Sequence, residues 1–331
     1  MTQKEAICHD GLSDYKGTYM TELILHHYDF SNYSEKVRLA LGYKGLAWQS
    51  VIIPPIAPKP DLTPLTGGYR RTPVLQIGAD IYCDTSLIVR ELERRFPTPT
   101  LFPAELTAVA DAITYWAENR LFRPISLYVS GSNLEHLPEG LQADRSIMRG
   151  LPPPSAGAMA RAVVRNAPLV RPQLQQVEAM FADGRTWIAG EAVTVADLAV
   201  YHALWFFTAR TELLRADIAP FARINEWMGR VRAFRHGSPT ALVAAKALRA
   251  AADADPVASR PSRRFDEDLE LGAMVRVRAD DYGQDPVEGR LVFLDGNEVA
   301  LSRDDPQVGT VAVHFPRLGY DLRPLRGAKP G

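Results

Sequence analysis

Apolar residues bunch into short blocks early in the chain, recur every three to four positions through its middle, and alternate every second position towards its end. In the first region "ELILHHYDF" reads as a short buried strand carrying Leu23, Ile24, Leu25, Tyr28 and Phe30. Val37, Leu39, Ala40 and Leu41 then follow a helical period, with Gly42 placed to stop the helix. "TPVLQIG" and "DIYC" form a hairpin-like pair around Gly78-Ala79-Asp80. "DTSLIVRELERRFP" is an amphipathic helix with Leu87, Ile88, Leu92 and Phe96 on one side and a proline stop. Strand, helix, irregular Pro-rich stretch, strand, strand, helix gives an α/β domain over 20–102.

From 103 to 253 long helical periods replace strands, most clearly in "AVADAITYWAENRLFRPISLYV", "TVADLAVYHALWFFTARTELL" and "FARINEWMGRVRAF". This is an all-α domain. "ADADPVASRPSRRF" reads as a linker, placed at 254–268. Beyond it Val275 and Val277 alternate with Arg276 and Arg278, and "EGRLVFL-DG-NEVALS" signals a hairpin whose Asp-Gly supplies positive φ angles. Four to five short strands over 269–327 predict a small all-β barrel, SH3-like or OB-like. The expectation is an independent module, docked on the helical domain through Val275, Val277 and Phe293.

Composition narrows the function classes. At 331 residues, 38 Lys and Arg balance 39 Asp and Glu, so no strong field favours nucleic acid or an anionic membrane. Within the terminal module from residue 265, 13 acids face 8 bases, which makes it a poor nonspecific phosphate binder despite its arginines. Two cysteines, Cys8 and Cys83, exclude a disulfide scaffold or Cys-rich metal site and fit a reducing compartment. The most apolar stretch, "VADLAVYHALWFF", contains Asp197 and His202 and is too short to span a bilayer. Residues 1–19 mix charges without an apolar signal region and read as a disordered tail, with Met20 as an alternative start. A cytoplasmic protein follows.

The chemistry-bearing residues gather in the first region. Ser31 and Ser34 stand where a strand runs into a helix, and a helix N-terminus attracts anions. Asn32 and Glu35 have capping-box spacing, which would leave Ser31 one residue outside with a free hydroxyl; either serine would otherwise simply cap. Thr72-Pro73-Val74 suits a strand start, and a cis peptide there would expose the backbone of Thr72. "CDTS" places Asp84, Thr85 and Ser86 at another helix start. Adjacent His26 and His27 face opposite sides of a strand, an unlikely metal pair, and Cys83 reads as a packing residue.

Taken in order, the Ser-x-x-Ser helix start, "TPVL", the acidic-plus-hydroxyl pair, and "GEAVTVADLAVYHAL" with its Thr194–Asp197 box resemble the soluble glutathione transferases over residues 22 to 240. The resemblance implies a thioredoxin-like first domain that binds glutathione as co-substrate, and a helical domain lining a hydrophobic site. By position, Ser31 matches the residue facing the glutathione sulfur. Thr72, before an expected cis Pro73, would pair with the peptide backbone; Asp84 and Thr85 would hold the γ-glutamyl end; Lys59 and Arg71 lie near carboxylate-reaching positions. Tyr28, Tyr33, Trp116 and Trp205 are candidates for the substrate pocket. Asn32 stands where many relatives have proline, and Asp-Thr replaces the commoner Glu-Ser. The implied activity is attack of the glutathione thiol on a hydrophobic electrophile, as in detoxification, by a homodimer that needs no metal, nucleic acid or membrane. The other reading is a non-catalytic binding or scaffold protein using the terminal β module. That module matches no family part, which predicts that it is dispensable for glutathione binding.

Overall fold

The computed structural model describes residues 22–209, 212–257 and 264–325. The expected tail over 1–19 and the middle of the linker lie outside them. The first domain comprises β1 (Leu23–His27), α1 (Asn32–Tyr43), β2 (Ala47–Ile52), the single turn α2 (Thr63–Thr66), β3 (Val74–Ile77), β4 (Asp80–Cys83) and α3 (Thr85–Arg95). β1 runs parallel to β2 and antiparallel to β3, which pairs antiparallel with β4, giving the thioredoxin-like arrangement.

Both faces of this sheet are buried, so alternate residues of one strand serve two cores. Leu23 and Leu25 join the core beneath α1, α3 and the helical domain, whereas Ile24 joins Val51, Val74 and Ile81 on the opposite face. The histidines obey the same alternation: His26 pairs with Gln76 at 2.9 Å, while His27 meets Ser50 at 2.8 Å and Arg38 at 3.1 Å. Gly42 does not stop α1. A Cβ there would lie 2.0 Å from the carbonyl oxygen of Arg235, so the glycine admits a neighbouring backbone. The helix ends instead at Lys44 and turns through Gly45 at φ 64°.

The helical part holds α4 (Thr107–Trp116), a π-turn (Ala117–Leu121), α5 (Phe122–Ser132), α6 (Leu141–Ile147), α7 (Ala156–Ala179), α8 (Val195–Ala209), α9 (Arg215–Ile218) and α10 (Ala222–Arg232). Pro124 cannot donate to the carbonyl four residues back, and the helix widens into the π-turn just before it. α8 is anchored by Asp197, which accepts from the Thr194 and Ile188 amides and from Trp227 Nε1, each at 2.9 Å. Among the described residues no helix is long and apolar enough to cross a membrane.

After α10 the chain returns to the sheet, earlier than the expected boundary at 253. β5 (Ser238–Ala241) pairs parallel with β2, and α11 (Ala244–Ala252) buries Ala247 and Ala251 in the outer core. β6 (Met274–Ala279), β7 (Val287–Leu294), β8 (Glu298–Asp305), β9 (Gly309–Pro316) and β10 (Tyr320–Pro324) confirm the all-β character of the terminal region. They do not stand apart. β9 pairs parallel with β4, so a single ten-stranded sheet runs β10-β6-β7-β8-β9-β4-β3-β1-β2-β5. Val275 and Val277 pack into the outer core of the first domain, not onto the helical domain, because that face of the sheet was left with Ile81, Cys83 and Val74 to cover. The β7–β8 hairpin is present, but Asp295 forms its turn by accepting from the Asn297 and Glu298 amides, both at 2.8 Å; Gly296 is not at positive φ.

At the β4–β9 junction, His314 lies between Asp80 at 3.0 Å and Glu298 at 2.7 Å, stacked on Tyr82. Burial lowers its pKa, but the two carboxylates outweigh burial and raise it.

Candidate functional site

Strand register brings the predicted residues to one end of the sheet. His26 of β1 lies opposite Val74 of β3, which lies opposite Cys83 of β4. The segments leaving or entering these strands at that row carry Ser31, Thr72-Pro73 and Asp84-Thr85.

Ser31 itself is the N-cap of α1, extended at φ −78° and ψ 119°, and its Oγ accepts from the Ser34 amide at 3.1 Å. The expected capping box is not made: Asn32 turns to His202 at 2.8 Å, and Glu35 pairs with Arg38 at 2.8 Å and His236 at 3.1 Å. Capping and thiol contact are compatible in Ser31. A hydroxyl that accepts a backbone bond keeps its proton to donate.

The Thr72–Pro73 peptide is cis. Thr72 Oγ1 accepts from Lys59 Nζ at 2.7 Å, and the same ammonium donates to the Arg70 carbonyl at 3.0 Å. Burial, with Arg145 and Arg70 nearby and Asp144 only partly opposing, pulls the Lys59 pKa down to about 7. This ammonium has a third N–H, and a carboxylate beside it would restore its charge. Arg71 behaves differently. Its guanidinium turns to the connection between β6 and β7, paired with Asp281 and the Tyr282 carbonyl and lying 4.2 Å from the Tyr282 ring centroid.

Asp84 adopts φ 73°, a region that non-glycine residues rarely occupy and that marks functional turns. Its Oδ1 accepts from the amide and hydroxyl of Ser86, at 2.9 and 2.8 Å, and its Oδ2 accepts from Tyr320 at 3.1 Å. Thr85 is buried and turns its Oγ1 to Lys36 at 3.3 Å.

Lys36 opens a buried polar chain that carried no sequence signal. Its Nζ, fully buried, reaches Glu118 in the π-turn at 2.6 Å; Glu118 faces His202 Nε2 at 3.4 Å. Burial favours the neutral carboxyl, but Lys36 and His202 outweigh it and bring the Glu118 pKa to about 2. Burial lowers His202 despite Glu118, and Asn32 donates to its Nδ1, so the neutral ring carries its proton on Nε2. The chain thus ties α1 and α3 to the helical domain directly beneath the site.

Of the pocket candidates, Tyr33 packs on His202 at 4.7 Å and Phe122 at 5.4 Å. Its pKa is pushed well above the ordinary value by burial and then by Tyr282, Glu118 and Asp84. Tyr28 accepts from Arg145 of α6 at 2.9 Å. Trp116 is half-buried against the main core. Trp205 lines a cavity of about 410 Å³ whose other walls, including Thr208, Arg215, Asn225 and Arg232, belong to α8, α9 and α10. The structure therefore groups Tyr33 with the Ser31 region and places Trp205 elsewhere.

Comparison with known proteins is consistent with this architecture. Residues 25–100 match the family model "Glutathione S-transferase, N-terminal domain", and residues 160–230 match "Glutathione S-transferase, C-terminal domain". A GST-like protein from Pseudomonas syringae is 36% identical with a TM-score of 0.75, over 92% of this chain and all of that one. The chain belongs to the glutathione S-transferase family. At that coverage the alignment runs into the terminal strands of this chain. A glutathione S-transferase from Rhodospirillum rubrum, 21% identical with a TM-score of 0.50, covers 63% of this chain and 87% of its own, a likeness of fold alone. No curated protein matches the chain.

The transferase fold also shows what the sequence missed: Lys36, Glu118 and His202 below the site, and Asp281, Tyr282 and Tyr320 beside it. The terminal region, expected to be dispensable for glutathione binding, makes two direct contacts with predicted site residues, Asp281 with Arg71 and Tyr320 with Asp84.

Proposed function

We propose that this protein is a glutathione-dependent transferase that activates the glutathione thiol for attack on a hydrophobic electrophile. The observation that carries the reading is the meeting of Ser31, cis Thr72–Pro73 and Asp84 at one end of three neighbouring strands. In this reading the Ser31 hydroxyl and the amino end of α1 stabilise the thiolate. The Thr72 backbone pairs with the peptide, Asp84 and Thr85 hold the γ-glutamyl end, and the Lys59 ammonium takes a carboxylate. The chemistry needs a depressed thiol pKa. A hydrogen bond to a charged acceptor supplies about 1.5–3 kcal/mol and a helix terminus about 0.3–1 kcal/mol. Together, at about 1.8–4 kcal/mol, these move the thiol by roughly one to three units at about 1.4 kcal/mol each, without a general base.

Conjugation, ether cleavage, dehalogenation and isomerisation share this first step. Screening the full chain with glutathione against one electrophile of each type tests the reading. Glutathione-dependent turnover of at least one is expected; failure to bind glutathione at millimolar concentration would overturn the proposal. A homodimer is part of it, with sedimentation at micromolar concentration as the check.

A further inference from the structure

Asp84 is more tightly specified than a capping residue requires. A carboxylate offers about four lone-pair directions. Ser86 takes both on Oδ1, through its amide and its hydroxyl, and Tyr320 takes one on Oδ2. A single direction on Oδ2 remains, on a residue whose backbone is itself fixed at φ 73°.

Tyr320 comes from β10, the strand at the far end of the sheet order, so β6–β10 must curl back to bring it to the end of β4. Three features hold it there. Backbone pairing sets Tyr320 opposite Ala279, its ring packs on Phe315 with centroids 5.6 Å apart, and its oxygen lies 3.1 Å from the Tyr69 hydroxyl. Because the only phenolic proton of Tyr320 goes to Asp84, Tyr69 is the donor in that second bond. Burial, the Asp84 carboxylate and Tyr69 all push the phenol pKa well above its ordinary value, so Tyr320 stays a donor at any physiological pH. The neighbouring Arg71 guanidinium, 5.9 Å from the Tyr320 ring, is held in turn by Asp281.

Resting on the glutathione reading above, we infer that Tyr320 is a positioning residue of the glutathione site: the terminal strands deliver a phenol that aims the one remaining acceptor direction of Asp84 at the γ-glutamyl ammonium. Tyr69 and Tyr320 form a two-phenol relay behind the carboxylate. The terminal module is then a working part of the ligand site. Preorganising an acceptor in this way favours binding by removing the cost of orienting it when the ligand arrives.

The test compares glutathione with its analogue lacking only the α-amino group, glutaryl-cysteinylglycine, on the full chain. Tyr320→Phe keeps the ring and its packing on Phe315. Wild type is expected to prefer glutathione by about tenfold or more, as suits a hydrogen bond to a charged group. Tyr320→Phe should bring that preference below about threefold, raising the glutathione KM while affinity for the analogue and kcat at saturating glutathione change by less than about twofold. Tyr320→Phe with the wild-type preference, or with both ligands weakened equally, would overturn the positioning role and leave the glutathione reading intact. Absence of glutathione binding in both proteins would overturn the two together.

Discussion

In the proposed reading Ser31 makes two separable contributions, and two substitutions pull them apart. Its Oγ accepts from the Ser34 amide at 3.1 Å, so Ser31→Ala removes the α1 cap and the hydroxyl proton together. Loss of a serine cap to alanine costs about 0.5–2 kcal/mol of stability, whereas glycine at a cap costs only a few tenths. Both substitutions delete the bond to the thiolate, about 1.5–3 kcal/mol. That loss raises the bound thiol by roughly one to two pKa units, so for a thiol otherwise near 8.5 the thiolate fraction, and with it turnover at neutral pH, falls by about eight- to twenty-five-fold. The assay is the pH–rate profile with glutathione and a chlorodinitroarene, run beside thermal melts. Equal shifts of the profile in Ser31→Ala and Ser31→Gly, with a clearly lower Tm only in the former, are expected. If turnover instead follows Tm, with Ser31→Gly near wild type, the serine only caps and the thiol has another partner.

Three further outcomes follow from the buried polar groups. Lys36→Met leaves Glu118 without its cation and should cost about 3 kcal/mol, the low end for breaking a buried pair because Glu118 keeps 16% side-chain exposure; adding Glu118→Gln should recover part of it in urea unfolding. Asp197→Ala orphans the Ile188 and Thr194 amides and Trp227 Nε1, and at about 1–3 kcal/mol each should destabilise by at least about 3 kcal/mol, read as a lower urea midpoint. His314 has a folded pKa raised above its ordinary 6.5, so its stabilising contribution is whole below pH 6.5 and is lost as pH climbs through the folded value. Relative to His314→Gln, wild-type Tm should therefore fall as pH rises from about 6.5; parallel curves would remove His314 from the junction.

What was legible in the sequence is what local physics decides. A serine before an apolar helical period is a cap wherever it occurs, so Ser31 could be placed from its neighbours. The choice between Ser31 and Asn32 could not, because Asn32 answers to His202, 170 residues away. Alternation found the terminal strands, since a half-buried strand writes its faces into the sequence. It gave no hint that β9 would pair with β4, because any backbone can supply those hydrogen bonds. β5 is exposed at all four residues and carries no pattern that would separate it from the helical domain. Nothing local marks Tyr320, and its meeting with Asp84 across 236 residues is a product of sheet curl alone.

Glutathione should bind where β1 and β4 end and β3 begins, with Asp84 as its anchor. Calorimetric titration of glutathione into the full chain and into Asp84→Asn tests it most directly. Wild type should take up glutathione at one site per chain, and Asp84→Asn should bind it at least about tenfold more weakly, roughly 1.4 kcal/mol. Wild type that takes up no glutathione, or Asp84→Asn that binds it as tightly as wild type, would contradict it.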